Sequence, residues 1–87
     1  MNNVYDLFNL IGKNLKRIRQ DVIGISQEKL AEENNLSRSF ISHIESQNVD
    51  CGVSLDTLFY LSQKYEFDLR IFFDGYENLM TKKDNDN

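Results

Sequence analysis

Proline is absent from this 87-residue chain, and glycine occurs only four times. A chain so poor in both backbone breakers, and dominated by long amphipathic patterns, reads as an all-α domain. There is one cysteine, Cys51, which excludes an internal disulfide and a four-ligand zinc site built on cysteines. A reducing cytoplasm fits that count. There is one histidine, His43. Cys51 lies beside Asp50 and Gly52, with no positive neighbour to lower its pKa. The sequence contains no glycine-rich phosphate loop and no metal-ligand cluster, so it argues against an enzyme and calls for no cofactor or metal. No basic segment leads into an apolar run at the N-terminus, so no signal peptide is expected, and no apolar run reaches the length of a membrane span.

Positive charge is also scarce. Fourteen acidic residues stand against ten basic ones, a net charge of −4. The excess is concentrated in one region. Residues 66 to 87 hold Glu66, Asp68, Asp74, Glu77, Asp84 and Asp86 against Arg70, Lys82 and Lys83, whereas residues 1 to 65 are close to neutral. A chain of this length makes one small domain and buries only about 60–65% of the surface its unfolded form exposes, so it gains from dimerising.

Ser26 to Ser46, SQEKLAEENNLSRSFISHIES, organises the rest. Ser26 is a good N-cap. Leu30 and Ala31 give the following helix (27–34) an apolar face. Asn35 stands where a left-handed residue is wanted, a conformation Asn tolerates. Ser37 caps a second helix (38–46), in which Phe40, Ile41 and Ile44 fall at helical spacing. About three residues are left for the turn, so the helices cross steeply and Ala31 lies at their closest approach.

This segment resembles the helix-turn-helix of the Cro-like and phage-repressor family of DNA-binding regulators, also called the xenobiotic-response-element family. The matching features are the Ser-Gln opening, the Leu-Ala pair, the turn four residues after Ala31 and the Ile-Ser-x-Ile-Glu close. The likeness runs from Ile11-Gly12-x-x-Leu15 and Arg19 through Ser54-Leu55-x-x-Leu58 to about Phe73, some three quarters of the chain. The family usually has Gly where Asn35 stands, and a Gly-x-x-x-Pro loop where this chain has residues 46–52. The resemblance implies an all-α, five-helix lambda-repressor-like domain over residues 1–74, with the helix-turn-helix at helices 2–3. A C-terminal extension, 75–87, follows.

The resemblance also implies roles. Arg19 and Glu45 match a pair that ties the first helix to the recognition helix. Arg38, Ser39, Ser42 and His43 face away from Ile41 and Ile44, where a helix entering the major groove presents base-reading side chains. Arg38 can donate to both O6 and N7 of guanine, and His43 can donate or accept according to its tautomer. Gln27 matches a residue that contacts the DNA backbone. Ser46, Gln47 and Asn48 can do so on the other side; as an ordinary polar loop they need no function.

Elsewhere, Val4, Phe8, Ile11, Leu15, Ile18 and Val22 mark one continuous helical stripe. Ser54 caps a fourth helix (55–65) whose core side is Leu55, Leu58, Leu61, Ser62 and Tyr65. Residues 67–73 read as a short helix capped by Asp68, with Phe72 closing the core, or, by alternation, as a strand. Tyr60, Phe73, Tyr76 and Leu79 exceed what one small core absorbs and point to a two-fold dimer interface. Residues 82–87 read as a disordered end. The partners expected are double-stranded DNA and a second copy, in the cytoplasm at the nucleoid. A restriction–modification controller, a phage-type repressor and an antitoxin are the candidate roles. A protein-binding module for a toxin or anti-repressor is the alternative from another class.

Overall fold

The computed structural model describes residues 3–47 and 50–79. Helix α1 spans Val4–Arg17. It starts where it does because Asn3 and Asp6 form a reciprocal cap. Asn3 Oδ1 accepts from the N–H groups of Tyr5 and Asp6 at 2.9 and 3.2 Å, and Asp6 Oδ2 accepts from the Asn3 N–H at 3.0 Å. Ile11 and Leu15 are buried on its inner face.

The apolar stripe does not continue to Val22. From Ile18 to Ile23 the chain is a π-helix. Each π turn holds an extra residue, so the position following Ile18 on the core face is Ile23 and not Val22. Ile23 accordingly packs on the core, and Val22 is 50% exposed. Val4, at the other end of the stripe, is also half exposed. Gly24 ends the segment at φ 78°, and its N–H donates to the Arg19 carbonyl at 2.7 Å.

Helix α2 (Gln27–Glu33) is capped by Ser26, whose Oγ accepts from the Lys29 N–H at 3.0 Å. It closes through Asn35 at φ 55°, which lets the Leu36 N–H reach back to the Ala31 carbonyl at 2.9 Å. Helix α3 (Arg38–Glu45) begins at Ser37, whose Oγ accepts from the Phe40 N–H at 3.0 Å. Leu30, Ala31, Ile41 and Ile44 are buried, and α3 packs on both α2 and α1. The approach to α1 is close at one point. A Cβ added to Gly12 would lie 1.9 Å from the Ile44 carbonyl oxygen, so α1 can meet α3 there only with glycine.

Helix α4 (Leu55–Lys64) has Ser54 at its N-cap, but the Ser54 hydroxyl pairs with Thr57 Oγ1 at 2.8 Å instead of capping a backbone N–H. Leu58, Leu61 and Ser62 are buried and Tyr65 is half-buried. Leu55, expected on the core side, is 64% exposed: it is the first residue of the helix, and burial begins one turn later, at Leu58. The 67–73 segment is helical, a 3-10 helix over Leu69–Phe73 with Asp68 as N-cap. Phe72 is fully buried, with Phe67 edge-on to it at 5.5 Å.

The 3-10 helix is held to α1 by a residue that periodicity did not single out. Buried Asn14 donates from Nδ2 to the carbonyls of Phe72 at 2.8 Å and Asp74 at 3.0 Å, and Arg17 adds an ion pair to Asp74 at 2.7 Å. Residues 76–79 make one further helical turn, and among the described residues there is no strand. No helix among them is long and apolar enough to cross a membrane. The expected disordered end, 82–87, lies outside the described residues.

Candidate nucleic-acid interface

The inner face of α3 is fixed before its outer face is considered. Glu45 is buried at the last turn, and its carboxylate accepts from Arg19 Nε at 2.7 Å and Arg19 Nη2 at 2.9 Å. Arg19 also donates from Nη1 to the Ile25 carbonyl at 2.8 Å, which ties the π segment, the loop before α2 and the end of α3 into one unit. A planar guanidinium meeting a carboxylate edge-on fixes direction as well as distance. Gln27 joins the same network: it is half-buried and its Nε2 donates to Glu45 Oε1 at 3.0 Å. Its amide is turned toward the buried carboxylate because that acceptor has a lone pair which Arg19 does not fill.

With Ile41, Ile44 and Glu45 turned in, the opposite face of α3 is left in solvent. Arg38, Ser39, Ser42 and His43 are all exposed. Together with Ser46 they line one shallow groove of about 430 Å³. The four positions named from the sequence for base reading therefore share one surface. Arg38 has a further property. Arg17, Arg19, Lys29 and Arg70 each pair with a carboxylate, and Lys64 donates to the Glu33 carbonyl. Among the described residues only Lys13, Lys16 and Arg38 have no such partner. The Arg38 guanidinium is thus free to donate outward.

His43 is less free. Its Nε2 lies 2.9 Å from Asp50 Oδ1, on the segment that follows α3. The Ser46 hydroxyl donates back to the His43 carbonyl at 2.7 Å and closes the helix, so it is committed to the backbone. Gln47 is exposed; Asn48 lies outside the described residues.

One grouping was not anticipated. The ligand atoms of His43, Asp50 and Cys51 all lie within 4.8 Å of one another. In sequence Asp50 and Cys51 stand seven and eight positions after His43, with no recognisable ligand spacing, so only the path of the chain after α3 brings them together. That path is held from the other side, because Gly52 lies against the Phe8 ring: a Cβ there would be 2.6 Å from Phe8 Cε1.

Of the four residues expected at a subunit interface, Tyr60 and Tyr76 are exposed, whereas Phe73 and Leu79 are half-buried and Phe73 packs on the core. Phe59, also exposed, joins Tyr60, Leu36 and Leu61 in a second, mainly apolar groove of about 460 Å³ with Asn34, Asp56 and Thr57 at its rim. The Asp56 carboxyl is held below its usual value, first by the Ser54 hydroxyl and then by the Thr57 N–H, so this rim carries a negative charge.

Comparison with protein-family models, with curated proteins and with solved structures found no match.

Proposed function

We propose that the protein is a sequence-specific regulator that binds double-stranded DNA, with α2 and α3 as the helix-turn-helix of a lambda-repressor-like domain. In this reading α3 enters the major groove by its N-terminal end. Arg38 donates its two-pronged fork to guanine O6 and N7, Ser39 and Ser42 read adjacent edges, and His43 lies farther along the groove. Arg19, Glu45 and Gln27 hold α3 at the angle this requires. The protein acts as a homodimer on a palindromic operator, with half-sites about 34 Å apart, and regulates its own operon as a restriction–modification controller or phage-type repressor does.

One observation carries the reading. The exposed face of α3 is a continuous polar groove with an unpaired arginine at its start, on a helix whose buried face is locked by a two-pronged ion pair. Phosphate contacts are few, since little free positive charge surrounds the groove. Each phosphate neutralised contributes about −0.9 to the slope of log affinity against log salt, so a shallow slope is expected. The test is Arg38→Ala on a mapped operator. It should weaken binding by about 1–3 kcal/mol and relax the preference at one base pair of each half-site. Equal affinity and preference in the variant would remove the basis for the assignment.

The apolar groove of α4 supports a second reading, a protein-binding module whose main partner is a toxin or anti-repressor. Such a module would be indifferent to Arg38→Ala.

A further inference from the structure

We propose that His43, Asp50 and Cys51 form a three-ligand site for a divalent cation of the zinc class at the C-terminal end of α3. The chain has one histidine and one cysteine, and the fold brings both to the same point together with a carboxylate. Nitrogen, oxygen and sulfur donors in one set suit zinc and its neighbours, because a thiolate disfavours the hard cations magnesium and calcium. Three protein ligands leave a fourth position for water, the arrangement of an open zinc site.

The geometry is near what binding requires. Zinc–nitrogen and zinc–sulfur bonds of about 2.0 and 2.3 Å in a tetrahedron place ligand atoms roughly 3.5 Å apart. The three atoms here lie within 4.8 Å, and His43 Nε2 is already 2.9 Å from Asp50 Oδ1. Closing to the bonded geometry takes side-chain rotation of about 1 Å, and all three side chains are at the surface, where rotamers are free. The supports on either side do not have to move: His43 is in the last turn of α3, and Gly52 is seated against Phe8.

The balance of charge and protons is simple. The imidazole binds in its neutral form through Nε2, with its remaining proton on Nδ1. The Cys51 thiol releases its proton to water and binds as thiolate. Thiolate and carboxylate together carry two negative charges, which the dication neutralises. An occupied site therefore removes the negative charge that Asp50 brings to the end of the α3 groove. This consequence for DNA rests on the function proposed above; the site does not.

The test titrates the reduced, full-length protein with Co²⁺ as a spectroscopic substitute and then with Zn²⁺ in competition. Wild type should bind one Co²⁺ per chain and show the near-ultraviolet charge-transfer band of a cobalt–thiolate bond. Zn²⁺ should abolish that band. Cys51→Ser should lose the band altogether, and His43→Gln and Asp50→Asn should each weaken Co²⁺ binding tenfold or more. Because all three side chains are exposed, the helical circular dichroism of each variant should match wild type. Absence of saturable binding, Co²⁺ bound with no thiolate band, or wild-type affinity in His43→Gln and Asp50→Asn would overturn the proposal.

Discussion

Glu45 accepts hydrogen bonds from Arg19 Nε, Arg19 Nη2 and Gln27 Nε2 in a place almost closed to water. Replacing it with alanine leaves the Arg19 guanidinium buried without its counter-charge, a loss of about 3–5 kcal/mol at full burial. For a domain of this size each kcal/mol lowers the melting temperature by roughly 4–8 °C. Glu45→Ala is therefore expected to melt far below wild type, or to be unfolded at room temperature, by circular dichroism. An unchanged melting temperature would show that the pair does not hold the helices. This pairing was legible only through the family resemblance, since two charges 26 positions apart leave no mark in periodicity. Asp68 behaves differently. The Arg70 side chain, and then the Arg70 N–H, pull its carboxyl from 3.8 to about 2. The folded value is depressed, so the group favours the folded state above about pH 4 and loses that contribution as pH falls to about 2. The pair is at the surface and its effect on stability is small, so the titration itself is the readout. The Asp68 carboxyl carbon should titrate near 2 by NMR and return toward 3.8 in Arg70→Ala.

At the scale of elements, the caps were the most readable part of the chain. Ser26, Ser37 and Asp68 each accept a backbone N–H at the start of a helix, and Asn35 takes the left-handed conformation at the end of α2. These signals are local, so a short window of sequence contains them. The π segment was not readable. The stripe from Val4 to Val22 is regular enough to pass for one α-helix, and nothing local marks the π turn, in which the Arg19 carbonyl receives the Gly24 and Ile25 N–H groups while its side chain reaches Glu45. A direct check is a pair of substitutions. Val22→Ser should shift stability by less than about 0.5 kcal/mol, as at an ordinary surface position. Ile23→Ala should cost about 1–2 kcal/mol, less than at a fully buried site because Ile23 is only partly covered. The reverse order in urea denaturation would mean that the segment is an unbroken α-helix. Asn14 was missed for a related reason, since both of its acceptors lie nearly sixty positions away.

For the whole molecule, the all-helical architecture followed from the lack of proline and the long amphipathic patterns, and the four positions expected to read bases do lie on one exposed face. What the sequence could not supply was the neighbourhood of that face: the carboxylate beside His43 and the apolar groove on α4. A protein of net charge −4 approaches a polyanion without long-range help. On the proposed reading, recognition of DNA depends on the fit of α3 in the groove and on two copies acting together. The most direct measurement is selection of bound duplexes from a random-sequence pool at low salt, followed by sequencing. The account predicts enrichment of a two-fold symmetric site with half-sites one helical turn apart, and loss of one conserved guanine per half-site when Arg38→Ala is used. A pool that emerges unenriched, or a site unaffected by that substitution, would contradict it.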